Sequence, residues 1–368
     1  MSLTVTASIL LYDSASDIAA CLAALDAQTR RADDVVILDN ASTDDGLARA
    51  RAALPGARFL RSPVNLGFAA GQNRAMAFAP ADIHLVLNPD VRLRRDFLAR
   101  ALEPFERAPR LGSVTGRLLR FRPEDWMGTS LELIEHELPD DLLDSTGMIA
   151  HRNRRVTDRG SSRPAAGRYL SPEYVFGPSG AAAMYRREML EDVAYMGEIY
   201  DESFISYRED VDLAWRAQLL GWRCEYAPAA VARHRRRVAP GRRGTLPAEI
   251  NRNSVRNRWQ LMLKNELAAG WRRDWRRIVY RDLQIGGYII LHERTSLRAL
   301  SDVARNIPGL WARRNDTMRR RVASDEEIMF WFGGSIEQPI DEPSRPADPG
   351  PVPDAQPSHA SHRRGSRS

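Results

Sequence analysis

The chain has 368 residues, 43% hydrophobic and 28% charged, with a formal net charge of +6. This describes a globular protein with room for a full α/β core plus an appendage, and excludes a disordered chain. No apolar run reaches the roughly 20 residues that cross a bilayer, and the N-terminus lacks the basic-then-apolar order of a signal peptide, so the cytoplasm is the expected compartment. Cys21 and Cys224 are the only cysteines and fall in helix-like and strand-like patterns, which reads as buried thiols and not a disulfide or metal pair. Lys264 is the only lysine among the cations. That arginine-rich basicity suits phosphate-bearing substrates, an anionic membrane surface or nucleic acid. With no recognition element for nucleic acid in the sequence, that partner is not expected.

In chain order, Leu3 to Leu11 reads as a strand and Ser14 to Ala27 as a helix, with Ser14 and Asp17 placed as a capping-box variant. Strands at Val35–Leu38 and Arg58–Arg61 alternate with helices at Leu47–Leu54 and from Asn65 through Phe78, and a buried strand from Ile83 ends at Asn88-Pro89. This alternation predicts an α/β fold, a mostly parallel sheet with helices on both faces. Leu93 to Phe105 reads as an amphipathic helix and Leu111 to Phe121 as a strand. The irregular stretch from 122 to 171, acidic at Glu132–Asp144 and basic at His151–Arg168, is expected to carry substrate-facing loops. A strand at Ala182–Tyr185 follows small residues, and the spacing of Val211, Ala214, Trp215 and Leu219 predicts a helix with Glu209 and Asp210 in its first turn. Trp222 to Tyr226 closes the sheet, with His234 beyond it.

After Pro247 the chain becomes three basic helices, at Asn251–Leu267, Trp271–His292 and Leu297–Arg314. Most of Trp259, Leu263, Trp271, Trp275, Ile278 and Tyr288 are expected in the core, with peripheral contact to the inner membrane through these helices as the second reading. The expected domains are 1–245, in two halves (1–120 and 121–245), then a helical extension (246–333) and a disordered tail (334–368).

Chemistry-bearing residues gather at strand ends. The loop after the first strand, Tyr12 to Asp17, has no glycine, which disfavours a nicotinamide or flavin site. Asp39 ends the second strand, where a carboxylate can bond a ribose hydroxyl or base edge, while Ser42 and Thr43 fit helix capping equally well. Asp90 is presented just past a strand's carboxyl end, the edge where open α/β sheets bind ligands, and suits a divalent cation carrying a diphosphate. Glu209 and Asp210 also satisfy a helix dipole, but with Asp212 they put three acids in four residues.

Taken in order, Leu38 to Asp44, Asn65 to Asn73, Leu87-Asn88-Pro89-Asp90, Gly177 to Arg187 and Tyr207 to Arg216 resemble the inverting glycosyltransferases of family 2, in their rhamnosyltransferase-like branch. The resemblance runs from about Val5 to Asn265 and implies an A-type glycosyltransferase fold, with residues 1–120 its nucleotide-sugar-binding half, 121–245 its acceptor and catalytic half, and the helical extension added. It implies donor contacts at Asp39, Asn40, Asn65, Asn73 and Asn88, and close-approach positions at Gly67 and Gly71. Asp90 matches the second acid of the family's Asp-x-Asp metal motif, Asn88 standing in place of the first, and His234 matches a histidine that completes the site around Mg²⁺ or Mn²⁺. Asp210 matches the general base, with Glu209 orienting it or the acceptor. The implied activity is transfer of L-rhamnose from dTDP-rhamnose to a cell-envelope glycan or lipid-linked acceptor. Another UDP- or dTDP-hexosyl or galactofuranosyl transferase, or a non-catalytic nucleotide-sugar-binding protein, is the alternative.

Overall fold

The computed structural model describes residues 3–121, 132–236 and 247–333, and Met1–Gln338 form one compact unit. The domain boundary expected at 245 and the tail from 334 lie outside the described residues. Strands β1 (Val5–Leu11), β2 (Asp34–Asn40), β3 (Arg58–Ser62) and β4 (Ile83–Leu87) alternate with helices α1 (Ile18–Asp26), α2 (Gly46–Ala53) and α3 (Gly67–Phe78). These strands pair in parallel in the order 3-2-1-4, so their carboxyl ends lie along one edge. Side chains alternate across β4 as strand geometry requires. Leu85 and Leu87 pack with Ile18 and Leu22 of α1 on one side. Val86 packs with Met76 of α3 on the other.

The sheet continues through β5 (Val91–Leu93), β6 (Leu111–Arg120), β7 (Leu143–Ser145), β10 (Glu173–Val175), β11 (Ala182–Arg186) and β12 (Arg223–His234), while β8 (Met148–Ala150) and β9 (Val156–Asp158) form a separate hairpin. β11 lies antiparallel between β4 and β6, and β12 runs parallel to β6. Helices α4 (Phe97–Arg107), α5 (Glu132–Glu135), α6 (Arg187–Val193) and α7 (Glu209–Leu219) complete this part. The first half keeps the parallel order expected from sequence, while antiparallel pairing makes the second half mixed.

Three local expectations are corrected. Leu93 belongs to β5 and not to the following helix, because β5 is captured by β12. Neither Ser14 nor Asp17 caps α1 through its side chain; the Ser14 hydroxyl donates to the Tyr12 carbonyl and Asp17 pairs with Arg235. The last strand does not stop at Tyr226. It passes Pro228 through an irregularity between Ala227 and Val231 and resumes pairing as far as His234, since a bulge accommodates the proline's missing N–H.

The C-terminal helices α8 (Ala248–Asn265), α9 (Ala268–His292), α10 (Arg298–Arg320) and α11 (Asp325–Trp331) pack back on this frame. Val255 of α8 meets Ile289 of α9 and Ala299 of α10. Trp331 and Phe332 stack edge-on against Phe176. Lys264 is buried between Asp201 (2.5 Å) and Asp212 (2.9 Å), and Arg154 between Glu266 and Asp274. The expectation of core packing for the aromatic stripe fails: Ile278 is buried and Trp259 partly so, but Leu263, Trp271, Trp275 and Tyr288 are exposed. Helical spacing showed an apolar face without showing which way it turned.

Candidate active site

Asp90 stands in the three-residue gap between β4 and β5, where the backbone around it is held on both sides. The Asn88 N–H donates to the Ala181 carbonyl (2.9 Å), the Val91 N–H to the Asn88 carbonyl (3.2 Å), and the Arg235 N–H to the Asp90 carbonyl (3.1 Å). His234, the last residue of β12, faces it, with Nε2 3.4 Å from Asp90 Oδ1 and Nδ1 2.7 Å from Asp144 Oδ2. Burial opposes a charge on this imidazole, but the two carboxylates outweigh it and push its pKa up to about 9. Burial likewise opposes ionisation of Asp144, yet His234 and Arg236 hold its carboxyl below the usual range.

From Asp144 the ion pairs continue. Arg236 Nε lies 2.7 Å from Asp144 Oδ1, and its Nη2 reaches Asp158 on β9. Burial raises the pKa of Asp210 and Asp158 adds repulsion to it, so the paired charges extend from Asp90 toward α7. A second link runs through the backbone. Ala181, which holds Asn88, follows Gly180, and a side chain at Gly180 would meet Asp210 Oδ2 at 2.9 Å. Asp90 and Asp210 thus both lie near the junction of the end of β4 with the start of β11.

Asp210 is partly buried at the start of α7 and accepts the Val211 N–H at 2.8 Å. Burial pushes its pKa up to about 6 against that bond, with Asp158 assisting. Glu209 is buried, and its Oε2 has no hydrogen-bond partner. Burial first, and Asp210 second, raise its pKa well above the carboxylate range. Asp212 differs from both. Lys264, Arg216 and Asn265 bind it and outweigh its burial, lowering its pKa; it braces α7 against α8.

The loop before α7 is strained, with positive φ at Ile205 (63°), Tyr207 (68°) and Arg208 (72°), a conformation disfavoured for side chains with a Cβ. Helix α8 holds it there. Asn257 Nδ2 donates to the carbonyls of Phe204 (2.9 Å), Ser206 (3.0 Å) and Tyr207 (2.8 Å). Arg256 donates to those of Ser203 and Phe204.

The other expected donor residues cluster at the ends of β2 and β3. Asp39 is buried, accepts the Ser42 N–H (3.0 Å) and lies 3.2 Å from Arg61 Nε. Asn40 bonds Asn65 (2.9 Å) and accepts the Leu66 N–H (2.8 Å), and Asn65 accepts the Gly67 N–H (2.8 Å). At Gly67, with φ 79°, an added Cβ would meet Ile205 at 2.7 Å; at Gly71 it would meet Leu10 at 2.5 Å. Both close approaches are made to the protein itself. Asn73 stands apart, its amide occupied by the Tyr200 backbone at 2.8 and 2.9 Å.

Sequence reasoning did not single out Asp144, Asp158 and Arg236. The first two lay inside the acidic and basic stretches of the irregular region, and Arg236 inside the cationic run after His234. Their signal was real, but only the fold says which charges meet.

His234, with one nitrogen fixed by a carboxylate and the other facing Asp90, has the chemistry of an oriented metal ligand. Among the described residues no group of three or more His, Cys, Asp or Glu forms a complete cage. The pair fits an ion that draws its remaining ligands from water and a bound diphosphate, as Mg²⁺ does.

The sheet order and the carboxylates at its strand ends fit an α/β glycosyltransferase fold. The chain belongs to Glycosyl transferase family 2, whose profile matches residues 7–194. It is 27% identical over 290 residues, 75% of this chain and 89% of the relative, to the N-acetylglucosaminyl-diphospho-decaprenol L-rhamnosyltransferase of two Mycobacterium tuberculosis strains. Among solved structures, S. aureus TarS superposes with a TM-score of 0.52 at 15% identity, covering 86% of this chain and 54% of TarS. TarS 1-349 in complex with UDP-GlcNAc gives 0.50 at 15%, covering 86% and 89%. At such identity these two speak for the fold alone.

Proposed function

We propose that the chain is an inverting, metal-dependent transferase that moves L-rhamnose from dTDP-rhamnose onto a lipid-linked or glycan acceptor of the cell envelope. The observation that carries the enzymatic reading is the convergence of Asp90 and Asp210 at one sheet edge, joined through Asn88–Ala181–Gly180. The sugar and the acceptor rest on the relative named as a rhamnosyltransferase acting on a diphospho-decaprenol-linked sugar. Asp39, Asn40 and Asn65 form the nucleoside end of the donor site, with Gly67 and Gly71 shaping it and Asn88 beside the diphosphate. Asn73 positions the 200–204 segment that leads into the base loop.

Asp90 and His234 would hold Mg²⁺ or Mn²⁺, which when bound neutralises charge on the departing diphosphate. Asp210 accepts the proton of the acceptor hydroxyl as that oxygen attacks the anomeric carbon, and a single displacement inverts the centre. A pKa of about 6 leaves Asp210 ionised yet basic near neutrality. Buried Glu209 orients it.

A donor screen reading release of dTDP and UDP, with and without Mn²⁺, tests this. Turnover of dTDP-rhamnose above other donors, lost in Asp210→Asn with donor binding kept, is the expected result. Equal turnover in that variant removes Asp210 from the base role, and preference for a UDP-sugar transfers the reading to the hexosyl or galactofuranosyl alternative.

A further inference from the structure

The outer surface of α9 and α10 is unlike the rest of the molecule. Leu283 and Leu291 on α9 are 69% and 74% exposed, and Trp311 on α10 is 56% exposed. At 100° per residue the outward stripe of α9 runs Arg272, Arg276, Leu283, Ile290 and Arg294; on α10 Leu300, Ile307 and Trp311 share one face. The two stripes meet at a corner. Ile289 and Ala299, next to Ile290 and Leu300, pack together on Val255 of α8.

The charges around this surface are sorted by sign. Between residues 268 and 320 eight arginines are exposed, and no aspartate or glutamate is. The acids of these helices turn inward or into pairs: Asp274 to Arg152 and Arg154, Asp282 to Arg258, Asp302 to Arg252, and Glu293 to the Ser296 hydroxyl. What faces outward is thus apolar and cationic together. Two copies of such a surface would repel each other, whereas a layer of anionic headgroups over hydrocarbon complements both components. No described helix is long and apolar enough to cross a membrane.

We propose that the α9–α10 surface docks on anionic lipid, lying in the headgroup layer with Leu283, Ile290, Leu291, Leu300, Ile307 and Trp311 inserted. The docked surface is one helix away from Asp210, because α8 carries Val255 against it and Asn257 against the base loop. A lipid-borne acceptor would be met there. That last link rests on the proposed acceptor; the docking itself does not.

The test is co-sedimentation of the full chain with phosphatidylcholine vesicles lacking or containing about one third phosphatidylglycerol, without donor or acceptor, so that it is independent of any transfer reaction. Binding only to the anionic vesicles is expected. Leu283→Gln with Ile290→Gln and Trp311→Gln should weaken it at least about ten-fold. Arg272→Gln with Arg276→Gln should weaken it about 25-fold, roughly five-fold per arginine. Circular dichroism checks the fold, and Leu283→Gln with Leu291→Gln, the two most exposed leucines of α9, serves if the triple variant misfolds. Three results overturn the proposal: equal binding to neutral vesicles, unchanged binding by the apolar variants, which means adsorption of charge alone, or a dimer in solution that those variants dissolve.

Discussion

Asp210 is the residue on which pH should act. As the proposed base it works ionised, so turnover should fall as pH drops through about 6, and Asp158→Asn, which removes a repelling charge, should move this acid limb to lower pH. A rate profile of both proteins checks the shift. Stability runs the opposite way. The folded pKa of about 6 exceeds the unfolded carboxylate value of roughly 3.9, so ionised Asp210 costs the fold on the order of 1–3 kcal/mol. That cost is full above about pH 6 and absent below about pH 4. Asp210→Asn should therefore raise the thermal midpoint at pH 8, converge with the parent chain at pH 4, and lose turnover by about 10²-fold or more. A midpoint unchanged at both pH values would mean that burial does not penalise the acid.

Among elements, the contacts that aim α7 come from distant segments. Gly180→Ala keeps an ordinary backbone but places a methyl 2.9 Å from Asp210 Oδ2, so it should leave circular dichroism unchanged while lowering turnover more than donor affinity. Asn257→Ala releases three carbonyls of a left-handed loop. It should cost about 1–3 kcal/mol in denaturant unfolding and again reduce turnover ahead of binding. The strands were legible in sequence because β1, β2 and β4 are short, largely apolar runs buried on both faces, a signal that is local. What was not legible is instructive in each case. β12 ran past Pro228 because β5 and β6 pair with its far end, a tertiary gain that a strand-breaking residue does not reveal. Trp271 and Trp275 look like core on a helical wheel, since the wheel carries no information about which side a neighbour occupies. The acids Asp90, Glu209 and Asp210 were readable because strand ends and helix starts restrict where a carboxylate can point. Asp144 and Asp158 sit on short strands of an irregular segment, where only three-dimensional pairing with His234 and Arg236 gives them a role.

At the level of the whole molecule, the frame and the C-terminal helices are tied by buried charge. Lys264 lies between Asp201 and Asp212, so Lys264→Met would strand two carboxylates and should destabilise the chain by about 3–5 kcal/mol, measured by denaturant midpoint. Single unfolding of frame and helices together is expected, since Phe176 and Trp215 of one share a cluster with Trp331 and Phe332 of the other. The grip of Asn257 on residues 204–207 also carries a meaning in time. During synthesis every acid of the site leaves the ribosome before Asn257 does, and the frame can assemble while its base loop is still without a fastener. On the proposed base role of Asp210, an incomplete polypeptide would hold the reagents but could not aim them until α8 emerges and folds back.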